Sequence, residues 1–277
     1  MEIRRIWQKL RGIVPVSCYP LLAPVYRWDR RRTIRRLEQE DADYLASHPL
    51  VTVPGAELRF NVVGAINIPG FLAGGERTAE DIETALKQAG ASVERVGRAL
   101  DFGCGCGRLL LEAVRRWPHV RWAGSDVDER AIQWCATHLP DATILVNQPL
   151  PPLPFPDGAF DLIWCGSVFT HLDEGRQDAW LAELRRTLAP GGYLLASVHG
   201  PSCWAGLPRP TVKRIQERGF VFARTAGDEG IHPEWYQAAW HTRDYIDRHW
   251  SKFVEIAGYI PTGSGSQDVV VGRRRAE

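Results

Sequence analysis

The stretch ALDFGCGCGRLL, Ala99 to Leu110, sets three glycines on alternate positions between an apolar run ending in an aspartate and a second apolar run at helical spacing. Glycine alone turns sharply at no steric cost and lets a ligand approach the backbone without a Cβ in the way, so this segment reads as a strand-to-helix turn. From about residue 96 the surrounding pattern agrees. Short apolar strands at 97–102, 121–126, 143–147, 160–166 and 192–198 alternate with helices near 107–116, 128–138 and 175–188. That alternation predicts an α/β fold with a doubly wound, mostly parallel sheet and helices on both faces. The segments FVEIAGYIP and SQDVVVGRR read as two more strands joined by TGSGS, an antiparallel C-terminal hairpin at one edge.

The chain before this core has a different character. Residues 13–26 carry three prolines among apolar residues, which predicts an extended segment rather than a helix. Residues 51–77 are rich in Gly and Pro and read as structured loop leading into a helix at 78–90, with Thr78 as N-cap and Gly90 as stop. The expected organisation is a basic N-terminal arm at 1–50, a cap or substrate region at 51–94, and a ligand-binding domain at 95–277 with a lid insertion at about 201–245.

The net charge of +1 conceals an asymmetry. Residues 1–36 hold ten Lys and Arg against Glu2 and Asp29, whereas residues 37–277 hold 24 against 31. Ile3, Ile6, Trp7 and Leu10 recur at helical spacing among the basic residues. Such an arm suits contact with its own domain, a second subunit or an anionic membrane surface. The acidic remainder argues against a nucleic-acid partner. No apolar run reaches membrane-spanning length, and no signal-peptide core follows the first basic residues. The six cysteines lack paired C-x-x-C spacing, so no metal is expected and a reduced, cytoplasmic setting fits, peripheral at the membrane if the arm docks there.

The glycine spacing also selects a ligand class. A dinucleotide fingerprint is G-x-G-x-x-G, but the place of its third glycine is held by Arg108. Asp101 puts a carboxylate at the strand end, which favours a cationic ligand and repels a pyrophosphate. Asp126, nineteen residues after Gly107, ends the next strand where a carboxylate can accept hydrogen bonds from ribose hydroxyls. A nucleoside carrying an ammonium satisfies both.

These residues resemble the class I S-adenosylmethionine-dependent methyltransferases, whose first motif D/E-x-G-x-G-x-G is matched from Asp101 to Gly107. The resemblance continues through LPFPDGAFDLIWCGSVFTHL and LAELRRTLAPGGYLLASVHG, covering roughly residues 95–200. It implies S-adenosyl-L-methionine as cofactor, with Asp101 at the methionine end above Gly103, Gly105 and Gly107. It implies Asp126 on the ribose, Val127 against the adenine, Asn147 at the adenine amino group, and Gly166 and Ser167 along the methionine. Asn147 departs from the family's frequent Asp, though an amide oxygen can accept the same hydrogen bond.

Methyl transfer from a sulfonium needs alignment and, for a hydroxyl acceptor, a base. His171, in SVFTHL, and His199, in SVHG, both follow strands at the expected rim and are the catalytic candidates, with His241 a third. Phe71, Trp204, Trp235, Tyr236 and Trp240, with Arg59, Arg77 and Arg243, are candidates for the acceptor site, or pack the lid to the core. The expected reaction is methylation of an oxygen or nitrogen on a small molecule, sugar, or glycan- or lipid-linked intermediate. The alternatives are a noncatalytic S-adenosylmethionine-binding adaptor and a nicotinamide-dependent oxidoreductase.

Overall fold

A computed structural model describes residues 19–223 and 237–276. Its centre is a seven-stranded sheet in the order β3-β2-β1-β4-β5-β9-β8. The strands are β1 Arg98–Phe102, β2 Arg121–Asp126, β3 Thr143–Val146, β4 Phe160–Cys165, β5 Leu188–Val198, β8 Glu255–Ser264 and β9 Gln267–Arg273. The first five run parallel, while β9 is antiparallel to both β5 and β8. The doubly wound sheet and its closing hairpin are as the sequence predicts. The order reverses between β1 and β4, so the crevice at their carboxyl ends is where such sheets receive ligands.

Period-two alternation decides which residues feed each face. Ala99, Leu162, Trp164, Leu195, Val269 and Val271 pack under helices α3 (Ile68–Gln88), α4 (Arg108–Arg116) and α5 (Glu129–His138). Their neighbours Leu100, Ile163, Cys165, Leu194, Ala196 and Val270 pack under α6 (Glu174–Thr187) and α8 (Arg243–His249). Helices on both sides keep β1, β4 and the second half of β5 dry, which is why these stretches are almost continuously apolar, whereas the edge strands β3 and β8 are partly exposed.

The N-terminal region differs from the sequence expectation. Instead of an extended segment, helix α1 runs from Tyr19 to Ser47 through Pro24. Pro20 lies in the first turn, where no backbone donor is needed, and Pro24 removes only the bond that its N–H would have made to residue 20. The predicted loop at 51–77 holds helix α2 (Ala56–Val63) and the first half of α3. Asn67, not Thr78, caps α3, its side chain accepting the Gly70 N–H at 3.0 Å. Thr78 is mid-helix and donates back to the Gly74 carbonyl. The glycines here are packing glycines: a Cβ on Gly75 would stand 2.5 Å from the Arg108 carbonyl oxygen, so α3 can cross the start of α4 only where a side chain is missing.

Helix α1 lies on α2 through Ile34, Leu37 and Ala56, and a buried ion pair joins Asp41 to Arg59. The segment expected as a lid contains helix α7 (Arg209–Arg218), a two-stranded sheet of β6 (Phe220–Ala223) and β7 (Ala238–His241), and α8. Trp235 and Tyr236, and residues 1–18 of the expected arm, lie outside the described residues.

Candidate active site

The glycine turn leaves β1 with Gly103, Gly105 and Gly107 at φ 77°, 53° and 79°, in the left-handed region that other residues rarely enter. Space forbids side chains too. A Cβ on Gly103 would stand 2.2 Å from Val168 Cγ2, and one on Gly105 2.7 Å from Val62 Cγ2. The turn is tied to β2: Gly103 and Cys104 donate to the Ser125 carbonyl at 2.8 and 3.1 Å, and Gly105 donates to Asp126 Oδ2 at 2.8 Å. The other oxygen of Asp126 accepts the Asp128 N–H at 2.9 Å.

Beside this turn is a cavity of about 220 Å³. Of the predicted binding residues, Gly103, Gly105, Asp126, Val127, Asn147, Gly166 and Ser167 line it together. Asp101 and Gly107 do not. Asp101 lies beneath the turn, almost wholly buried, and Gly107 packs on Cys135 and Leu139 at the head of α4. Burial pushes the Asp101 carboxyl up to about 7, with the nearby Arg108 guanidinium opposing and the Asp126 charge adding to the shift. The Cys104 and Cys106 thiols are buried and pushed up, Cys106 to about 12, so neither is a ready thiolate nucleophile or ligand.

The wall residues that escape the sequence reading include Asn61 and Val62 on α2, Leu172, and Trp180 on α6. The first two come from a stretch that reads as loop, and nothing local marks them. Trp180 is recognisable only as a helix-face apolar residue; its tilted contact with Phe102, at 4.6 Å between centroids, is a tertiary event.

Residues 99–192 match the family described as methyltransferase domain. The chain carries a methyltransferase domain. Among curated proteins it is 26% identical over 153 residues to a malonyl-[acyl-carrier protein] O-methyltransferase of Hahella chejuensis, covering 53% of this chain and 54% of that one. It is 30% identical over 112 residues to the U6 snRNA (guanine-N(2))-methyltransferase THUMPD2 of Bos taurus, covering 38% and 22%. The chain thus spans about half of the first relative and under a quarter of the second. An O-methyltransferase family protein from Burkholderia thailandensis shares the fold, with a TM-score of 0.50, 15% identity, and coverage of 88% of this chain and 70% of that one.

The walls of the methyltransferase domain fit its cofactor on one independent observation. Asn147 donates its amide N–H to the Gln148 carbonyl at 2.8 Å, and its Oδ1 is a buried acceptor with no hydrogen-bond partner among the described residues. An acceptor orphaned on a ligand cavity costs about 1–3 kcal/mol unless a donor arrives, and the adenine amino group is such a donor. At the other end Ser167, at φ 59°, bends the chain after β4. Its N–H donates to Ser197 Oγ at 2.7 Å, and both serine hydroxyls donate to Gln267 Oε1. This network fixes the floor where β4, β5 and β9 meet.

The two candidate histidines of the methyltransferase domain stand together after β4 and β5, with ring centroids 6.1 Å apart, and neither lines the cavity. His171 Nδ1 is 3.0 Å from the Gln237 carbonyl and His199 Nδ1 is 3.1 Å from the Ala239 carbonyl. A carbonyl only accepts, so each Nδ1 carries a proton, and for His199 the neutral ring keeps its lone pair on Nε2. The β7 segment that supplies both carbonyls is held between them: Gln237 and Ala239 donate to the His171 and Thr170 carbonyls, and His241 to that of His199. Burial lowers the His199 pKa, so this ring is neutral at physiological pH.

Other candidates are placed elsewhere. His241 is fully buried, its Nε2 2.9 Å from Gln177 Oε1, and burial lowers its pKa to about 3. It pins β7 to α6 and is sealed from any acceptor. Phe71 is a core residue against Cys106 and Ala131, and Arg59 is buried in its ion pair with Asp41, so neither serves an acceptor site. Trp204 and Trp240 pack with Ile215 and Val221 inside the insertion. Arg243 covers the Tyr259 ring at 4.6 Å and pairs with Asp247.

Proposed function

We propose that the chain transfers the methyl group of S-adenosylmethionine to an oxygen or nitrogen of a small molecule, sugar, or glycan- or lipid-linked intermediate. When bound, the cofactor supplies an electrophilic methyl on a sulfonium. The chain's own residues position and desolvate the reacting pair and take up a proton. The observation that carries the reading is the pairing of His171 and His199 past the ends of β4 and β5, with Nδ1 protons fixed by the Gln237 and Ala239 carbonyls. A neutral His199 with an available Nε2 is the base for a hydroxyl acceptor, and the O-methyltransferase relative from Hahella favours oxygen. Against a nucleic-acid acceptor stands the acidic balance of residues 37–277.

Calorimetric titration with S-adenosylhomocysteine, followed by transfer of labelled methyl from S-adenosylmethionine into fractionated cell extract, tests this. Label in a small-molecule or glycolipid fraction supports the proposal. Label in RNA overturns the acceptor class, and binding without transfer to any fraction points to a noncatalytic adaptor.

A further inference from the structure

The side of helix α1 that faces away from the protein belongs to no contact described above. At about 100° per residue, Ile34, Leu37 and Asp41 form the stripe buried on α2. Val25, Trp28, Arg31, Arg32, Arg35 and Arg36 then fall in one arc of roughly 140° on the opposite side. Four of these are arginines, all exposed, and among the described residues only Arg36 meets a carboxylate there, Glu40 at 3.6 Å. Trp28 is 52% and Val25 43% exposed, and the Arg32 guanidinium lies 5.6 Å from the Trp28 ring centre. No acidic residue falls within that arc between Val25 and Arg36, since Asp29 turns toward its flank.

We infer that this face of α1 docks on an anionic phospholipid surface. Charge complementarity supplies the attraction, with each arginine near such a surface contributing a several-fold gain in binding. The apolar side chains decide between a bilayer and a soluble polyanion. An indole and a valine standing among cations have nowhere to go on a hydrated phosphate backbone, whereas in a headgroup layer the ring sits at the acyl boundary while the guanidinium groups meet phosphates. The contact is mechanically joined to the cofactor cavity. From within the buried stripe Arg30 donates to Asn61 Oδ1 at 2.8 Å and pairs with Glu57 at 3.1 Å, and Asn61 is part of the cavity wall. A surface held by α1 therefore holds the cap of the site.

The inference stands apart from methyl transfer, because it is read without cofactor. The full chain is sedimented with phosphatidylcholine vesicles, with and without one phosphatidylglycerol in three. Binding should be at least tenfold tighter to the anionic vesicles, and salt should weaken it. R31Q/R32Q/R35Q should lose roughly a hundredfold and Trp28→Ala on the order of tenfold. R209Q/R214Q/R218Q, which removes the same charge from exposed positions of α7, should bind like the parent. Thermal melts matching the parent show that the α1 variants remain folded. Equal binding to neutral and anionic vesicles, or equal losses in the α1 and α7 variants, overturns the inference. Binding of RNA or an acidic protein that depends on the α1 arginines, without vesicle binding, overturns it in favour of a soluble polyanion.

Discussion

Asp126 accepts the backbone N–H of Gly105 at 2.8 Å on one carboxylate oxygen and that of Asp128 at 2.9 Å on the other. An ionised carboxylate has about four acceptor sites, so two remain, on a side chain that lines the cavity. The same residue thus shapes the glycine turn and offers acceptors for a ribose diol. Asp126→Ala should weaken S-adenosylhomocysteine about a hundredfold or more, since charge-assisted hydrogen bonds contribute roughly 1.5–3 kcal/mol each. Asp126→Asn, which keeps one acceptor oxygen, should fall between. Unchanged affinity in calorimetry for the alanine variant would remove Asp126 from the cofactor site.

His199 is expected to act in the chemical step rather than in binding. His199→Gln removes the Nε2 lone pair with moderate loss of packing, and kcat should fall about 10²–10⁴-fold with KM little changed. Because burial lowers the pKa of this ring, the acid limb of the parent's kcat/KM profile should lie below the usual histidine value, and the variant should lose that limb. A loss confined to KM would make His199 an acceptor contact instead.

Asp101 predicts a pH dependence of stability. Its carboxyl titrates near 3.8 when free and at about 7 in the fold, chiefly because burial disfavours the charge. Its contribution is therefore fully present below the free value and is lost as pH rises from about 4 through 7, where ionisation in the fold becomes costly. Asp101→Asn keeps the shape without the charge. In urea melts without cofactor it should be the more stable chain at pH 8, by roughly 2–4 kcal/mol, and nearly equal at pH 4. A variant that is destabilised equally at both pH values would show that the charge on Asp101 is not being suppressed.

What could be read in advance divides along a physical line. The centre of the sheet was legible because both its faces are dry, so β1, β4 and the end of β5 are short apolar runs that need no partner to be recognised. The glycine turn and its partner were legible because Gly103, Gly105 and Asp126 lie within one strand-turn-helix-strand unit whose spacing is local. The cap was not. Gly74 and Gly75 count as loop residues by propensity, and only the close approach of Arg108 shows why a helix uses them there. Val62 reaches the site because a missing Cβ on Gly105 leaves room for it, a relation across 43 positions that neither residue announces. Arg59 and Asp41 are solvated charges by type, and their burial depends on α1 crossing α2.

That ion pair gives the most direct test of the cap. Arg59 is 1% exposed, donates to both Asp41 and the Pro54 carbonyl, and stands over the Phe71 ring at 6.0 Å. It thereby joins α1, the turn before α2, and the start of α3. Replacing it by Met fills the volume and leaves the Asp41 carboxylate buried without its counter-ion, a change that costs about 3–5 kcal/mol in comparable pairs. Asp41→Asn should cost less, because the amide still accepts from the guanidinium. A double variant, Arg59→Met with Asp41→Leu, removes both charges and should recover much of the loss. Since α2 supplies Asn61 and Val62 to the cavity, Arg59→Met should also weaken S-adenosylhomocysteine and expose the 48–55 turn to limited proteolysis, and the double variant should reverse both. Cofactor affinity that stays constant across all three variants would show that the cap folds over the site without contributing to it.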